Sequence, residues 1–185
     1  MPIVAANGIN IAYDEVGDAK APVILLIMGL GTQMIAWPEA FCLAIAQRGF
    51  RVVRFDNRDI GLSTKFETVA PIDLAAAFAR AMAKKSVDAP YTIDDMAADA
   101  MGLMDALGIG NAHVVGASMG GMIAQIIAAR YANRTRSLTS IMSSSGDPGL
   151  PPGKPEAISV LLAPRPHPDD RESVIGGHDD PSCHR

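Results

Sequence analysis

The chain has 185 residues, 49% of them hydrophobic and only 5% aromatic, with a formal net charge of −4 at neutral pH. That length suits one compact α/β domain with a sizeable core, and the mild, scattered charge excludes the basic stripe of a nucleic-acid binder or the footprint of an anionic-membrane binder. No apolar run approaches a bilayer span, the N-terminus lacks the basic-then-apolar order of a secretory signal, and Cys42 and Cys183 make neither a disulfide framework nor a metal cluster. A cytoplasmic protein acting on a small molecule is expected, with no cofactor and no metal.

In chain order, residues 3–17 show two short strand-like runs split by Asn7 and Gly8, a pair that tolerates the positive φ of a tight hairpin turn. "PVILLIMG", "RVVRFD" and "AHVVGA" are continuous aliphatic runs of the kind needed by parallel strands buried on both faces. Between them, residues 37–48 carry Phe41 and Ile45 at helical spacing and end on Gly49. A capping-box pattern, Thr92 with Asp95, opens a helix whose apolar stripe is Ile93, Met96, Ala97, Ala100, Met104 and Leu107, and Gly108 stands where a left-handed cap is wanted.

A further helix over 119–131 is expected to bury Met122, Ile123, Ile126 and Ile127, and "SLTSIM" reads as a last strand. "DLAAAFARAMAKK" predicts an extra helix over the sheet. The order hairpin, strand, helix, strand, helix, strand, helix, strand predicts a mostly parallel α/β sheet with helices on both faces. After Gly146 the chain changes character, holding eight of its thirteen prolines, which forbid continuous helix or central strand. We therefore expect a core over 1–146 and a proline-rich lid remnant or tail over 147–185, with short helices near 156–162 and 169–175.

"VVGASMGGM" sets Ser118 between Gly116 and Gly120, directly after a buried-strand run and directly before a helix. In that setting a serine occupies a strained turn and projects its Oγ above the sheet, while the glycines let the chain bend without colliding side chains. The helix start at Met119 aims N–H groups and the positive dipole end at the place where an oxyanion would form, as acyl transfer requires. A second donor should come from the loop after the first parallel strand, "IMGLGTQM": the N–H of Leu30, beside Gly29, paired with that of Met119. Gly29 and Gly31 also begin a dinucleotide fingerprint, but its third position is Met34, and Asp56 is the only acid near the expected place.

Together, "MGLG", "FDNRDIGLS" and "GASMGG", in this order, resemble the oxyanion loop, the strand-end Asp-x-Arg segment and the nucleophile elbow of the α/β-hydrolase superfamily. "IMGLGTQMIAWPEAF" and "RFDNRDIGLST" are especially similar to the esterase branch that includes methyl esterases of anthracycline antibiotics, the aclacinomycin methylesterase-like branch. The resemblance, over residues 3–145, implies a carboxylic-ester hydrolase working through a serine acyl-enzyme.

It also implies a later acid and then a histidine. Only 39 residues follow Gly146, too few for the two strand–helix units that should carry them. His113 begins the strand leading to Ser118 and should lie about 15 Å from it. His167 sits between prolines and His184 is penultimate. His178, in "GGHDDP", resembles the family's glycine–histidine segment and is the candidate base, with Asp147 the candidate acid and Asp169, Asp170 and Asp179 looser choices. Met28, Met34, Met119 and Met122 flank the site, and soft thioethers suit an apolar acyl or alkyl pocket, though Met122 at least reads as core.

Three readings follow: a hydrolase of small-molecule esters; a catalytically silent, truncated hydrolase serving as a binding or partner module; and an acyl-enzyme passing its acyl group to an acceptor other than water. A sheet lacking its last strands would leave an apolar edge open to pairing with a second copy.

Overall fold

The computed structural model describes residues 1–66, 76, 77, 79, 80, 83, 85, 87, 89–147, 149–151 and 153–162. Its strands are β1 (Ile3–Ala6), β2 (Ile9–Val16), β3 (Val23–Ile27), β4 (Arg51–Phe55), β5 (Ala112–Ala117) and β6 (Thr135–Ile141). The helices are α1 (Glu39–Ala46), α2 (Ile93–Ala106), α3 (Met119–Arg130) and α4 (Pro155–Leu162).

The strands form one sheet in the order β1-β2-β4-β3-β5-β6. β1 and β2 form the expected hairpin, turning at Asn7 (φ 49°) and Gly8 (φ 77°), and β2 runs antiparallel to β4. All remaining pairs are parallel.

The uninterrupted apolar runs are explained by two-sided burial, because successive side chains of a strand point to opposite faces. Val23, Leu25 and Ile27 of β3, Val53 and Phe55 of β4, and Ala112 and Val114 of β5 join one core with Met96, Ala100, Leu103 and Met104 of α2 and Ile123 and Ile127 of α3. The alternate residues Leu26, Val52 and Ala117 join Trp37 and Cys42 on the other face, beside α1.

Both ends of α2 carry full stop signals. The Thr92 side chain accepts the Asp95 N–H at 3.3 Å and the Asp95 carboxylate accepts the Thr92 N–H at 2.7 Å, a reciprocal capping box. That hydrogen bonding holds the Asp95 carboxyl below its ordinary range. At the C-terminus, Gly108 turns left-handed (φ 66°) and the Ile109 and Gly108 N–H groups bond the Met104 and Asp105 carbonyls, a Schellman closure.

The face of α2 is wider than the predicted stripe: Met101 and Leu103 are buried as well, and so is Asp99. Asp99 is tolerated there because its two oxygens take the Arg58 guanidinium at 2.6 and 2.7 Å and the Asn7 amide at 2.8 Å. The carboxylate in turn raises the Arg58 pKa further above its ordinary value. The guanidinium also lies over the Phe66 and Tyr91 rings, 5.3 and 4.9 Å from their centroids. Burial first, and then the Asp59 carboxylate, push the Tyr91 hydroxyl up to about 12.

In α3, Ile123 and Ile127 are buried as expected, whereas Met122 and Ile126 are only half-buried; Gly120, Gly121 and Ala124 take the remaining inner positions. β6 forms the edge of the sheet, and six of its seven residues are exposed. Among the described residues, no helix is long and apolar enough to cross a membrane.

The contacts divide the chain into two units, one of residues 1–72 and 87–148, the other of residues 73–86 and 149–185. The first holds the sheet with α1, α2 and α3; the second holds α4, where the Ser159 hydroxyl bonds the Glu156 carbonyl at 2.8 Å. The helix expected within "DLAAAFARAMAKK" is described only in part: Ala76, Ala77, Ala79 and Arg80 are helical, with the Ala83 N–H bonded to the Ala79 carbonyl. The expected helix at 169–175 lies outside the described residues.

Removing one partner of a buried ion pair leaves the other charge uncompensated, at a cost of about 3–5 kcal/mol. Asp99→Ala is expected to lower stability by that amount, seen as a large drop in the urea midpoint with an unchanged slope.

Candidate active site

Strand order decides where a site can form. From β3 the chain steps to β4 on one side and later crosses back to β5 on the other. The loops after β3 and β5 therefore diverge to opposite faces, α1 on one and α3 on the other, and open a crevice at the carboxyl ends of these neighbouring strands.

Ser118 stands in that crevice, between the last residue of β5 and the first of α3. Its backbone is left-handed, with φ 54° and ψ −122°. Such a conformation costs a side-chain-bearing residue about 1–3 kcal/mol and persists only where its surroundings impose it. Here the Ser118 N–H is bound to the Ile141 carbonyl at 2.9 Å, and the Ser118 carbonyl accepts the Gly121 N–H at 2.9 Å. The side chain makes no helix-capping bond, and the residue is half-buried, so the hydroxyl remains accessible.

The glycines around it are demanded by contact. A Cβ on Gly116 would stand 2.0 Å from the Gly120 carbonyl oxygen, and one on Gly120 would stand 2.2 Å from that of Ile27. Gly121 is closed off by Ser143 and Ser140. From the facing loop, Gly29 abuts the serine itself, since a Cβ there would lie 3.1 Å from the Ser118 Cβ and 3.5 Å from its Oγ. Leu30 follows Gly29, with half its surface exposed. Met119 supplies the first N–H of α3, which has no carbonyl within its own helix to bond. The candidate hydroxyl is thus flanked by the two backbone segments named from the sequence.

Three neighbours of the loop take roles that the sequence does not assign them; Asp56 reads there only as the acid of a dinucleotide fingerprint. Asp56 is only 2% exposed, and its carboxylate accepts the Met34 N–H at 2.8 Å and the Leu62 N–H at 3.1 Å. Bound in this way it does not present a carboxylate to a ribose, which removes the dinucleotide alternative. The Asn57 amide donates to the Met28 carbonyl at 2.9 Å. Arg58 turns away to Asp99. Their signals in the sequence are the likeness of "FDNRDIGLS" to a strand-end Asp-x-Arg segment and a run of polar residues directly following an apolar strand.

Of the remaining candidates, His113 lies near the start of β5, its ring bonded to the Ser137 hydroxyl at 2.8 Å and edge-on to Phe50. A strand rise of about 3.3 Å per residue puts it roughly 16 Å from Ser118, as expected. Asp147 is exposed, and its N–H donates to the Ser145 hydroxyl at 3.3 Å. His167, His178, His184, Asp169, Asp170 and Asp179 lie outside the described residues. No group of three or more His, Cys, Asp or Glu that could hold a metal ion occurs among the described residues.

Beside Ser118 runs an open, apolar groove of about 310 Å³, lined by Met28, Trp37, Phe41, Ala117, Ile141 and Met142, with Trp37 stacked on Phe41 at 5.7 Å. The methionines divide in role: Met28 lines the groove, Met34 is buried, Met119 packs against the core, and Met122 is half-buried.

The glycine contacts are directly testable. Gly120→Ala and Gly116→Ala should each destabilise the fold by at least about 1–3 kcal/mol through overpacking, whereas Gly110→Ala, where a Cβ meets nothing within 4 Å, should leave the melting temperature nearly unchanged.

Comparison with known proteins agrees with this geometry. The family described as alpha/beta hydrolase fold matches residues 22–164. Rhodomycin D methylesterase DauP of Streptomyces sp. strain C5 is 29% identical over 145 residues, covering 78% of this chain and 43% of that protein. Rhodomycin D methylesterase DnrP of Streptomyces peucetius is 28% identical over 145 residues, with the same coverage. The crystal structure of the enol-lactonase from Burkholderia xenovorans LB400 superposes with a TM-score of 0.56 at 33% identity, covering 72% of this chain and 44% of that one. The chain thus spans less than half the length of these relatives, and it belongs to the alpha/beta hydrolase fold family.

Proposed function

We propose that this chain carries the nucleophile and the oxyanion-binding half of a serine hydrolase of carboxylic esters. The observation that carries the reading is the left-handed backbone of Ser118 at a strand–helix junction with Gly29 against its side chain. A strained serine held between two backbone donor segments is costly to build and has a clear chemical use.

In this reading Ser118 Oγ attacks the ester carbonyl, and the Leu30 and Met119 N–H groups hold the charge that develops on its oxygen. A general base takes the serine proton and returns it to the departing alcohol, a role for which His178 is the candidate named from the sequence, with Asp147 the candidate acid. Water then releases the acid from the acyl-enzyme. The groove along Met28, Trp37 and Phe41 favours an apolar acyl or alkyl group on the substrate. The methylesterase and enol-lactonase names of the similar proteins support an ester or lactone as substrate class.

Short p-nitrophenyl esters test it. The pure chain should hydrolyse them on the order of 10²-fold or more faster than its Ser118→Ala variant, as oxyanion donors and an activated serine together supply at least that much. Equal rates for the two would overturn the assignment.

The exposure of β6, the edge strand among the described residues, favours a second reading: a catalytically silent chain that pairs through this edge with a second copy. Size-exclusion chromatography separates the two. A dimer that dissociates on dilution supports pairing, and a monomer at every concentration counts against it.

A further inference from the structure

The loop that follows β3 is tethered at both ends by the two residues directly after β4. Its first residue, Met28, gives its carbonyl to the Asn57 amide at 2.9 Å, and Met34 gives its N–H to Asp56 Oδ1 at 2.8 Å. Between these tethers lie Gly29, which touches Ser118, and Leu30.

The tethers are themselves held. Asp56 Oδ2 takes the Leu62 N–H at 3.1 Å, and a Cβ on Gly61 would lie 1.8 Å from that oxygen, so the turn after β4 closes directly over the carboxylate. The Asp56 N–H bonds the Ala12 carbonyl at 2.9 Å, and its carbonyl accepts the Ser63 hydroxyl at 2.6 Å, while that hydroxyl also accepts the Ala12 N–H at 3.0 Å. Asp56 and Asn57 are each 2% exposed.

A buried carboxylate costs free energy unless its oxygens are hydrogen-bonded. Both oxygens here are used, one of them on the loop beside the serine. An asparagine at position 56 would oppose an amide N–H₂ to one of the two backbone donors, so the carboxylate is chemically required.

We infer that Asp56 and Asn57 are positioning residues that set the distance between the loop carrying Leu30 and the serine elbow. This rests on the reading of Leu30 as an oxyanion donor. They touch no reacting atom; they act through the backbone of residues 28–34, where a displacement of a fraction of an ångström weakens a bond that matters only once the oxyanion forms.

Two variants test it, Asn57→Ala and Asp56→Asn. Asn57→Ala removes one side-chain bond and leaves the carboxylate satisfied, so it should fold even if Asp56→Asn does not. With p-nitrophenyl acetate, kcat should fall about 10- to 10²-fold while KM stays within about twofold, the pattern of an interaction made only in the transition state. An unchanged kcat in the folded variants, or a matching change in KM, overturns the proposal.

Amide hydrogen exchange followed residue by residue gives a readout independent of turnover. The amides of residues 29–34 should exchange at least about tenfold faster in Asn57→Ala, with protection in β3 and β5 unchanged. No change in the loop, or equal loss of protection across the sheet, overturns the proposal. If the wild-type chain shows no Ser118-dependent turnover, the hydrolase reading fails and the exchange experiment alone decides whether Asp56 and Asn57 position the loop.

Discussion

A methyl group on Gly120 would stand 2.2 Å from the Ile27 carbonyl oxygen and 2.8 Å from that of Met28, so helix α3 meets the end of β3 with backbone against backbone. The rest of the site depends on that closeness. It brings the start of α3 alongside the loop after β3, and it places the Ser118 side chain against Gly29. A side chain at the crossing would push helix and strand apart by roughly an ångström, and the start of α3 and the loop after β3 would lose the volume they share. Close packing at this point is what converts a common sheet topology into a local chemical environment.

The sheet contributes in a second way, through where it sends its polar residues. β4 buries Val52, Val53 and Phe55 and then delivers Asp56, Asn57 and Arg58, all buried, in immediate succession. Two reach sideways to the loop after β3, and the third reaches to α2. One strand end therefore joins the loop, the hairpin and α2, and their mutual placement does not depend on apolar packing alone. Non-directional burial gives compactness; these hydrogen bonds supply the angles.

Much of the fold was legible in the sequence because its signals are local. Two-sided burial writes β3, β4 and β5 as unbroken aliphatic runs, a reciprocal cap starts α2 at Thr92, and a left-handed glycine ends it at Gly108. The strained turn at Ser118 was legible for the same reason, since strand, tight turn and helix adjoin within a dozen residues. Asp56 and Asn57 were not legible as tethers, because their partners lie 22 and 29 residues away and no periodicity records such a pairing. Asp99 escaped notice too: on a helical wheel it reads as a polar residue beside the stripe, and only Arg58, 41 residues earlier in the chain, explains its burial. Met122 and Ile126 were expected to be buried with Ile123 and Ile127, but the glycines of α3 let that helix sit so close that small residues occupy the contact.

The pairing of β6 with β5 carries an irregularity far from the serine. Ala112 faces Thr135, but His113 faces Ser137, so Arg136 is a surplus residue that the ladder steps around. Beyond it the register continues to Gly116 opposite Ser140 and Ala117 opposite Ile141, whose carbonyl receives the Ser118 N–H. Because the bulge absorbs it, Arg136 could be excised with every pair from His113–Ser137 onward kept, whereas losing a residue between Ser137 and Ile141 would slide the strand end by one position and bring a different carbonyl to the serine. The strand thus works like a vernier zeroed at the bulge, in which the count of residues from Ser137 to Ile141 determines which carbonyl meets the serine.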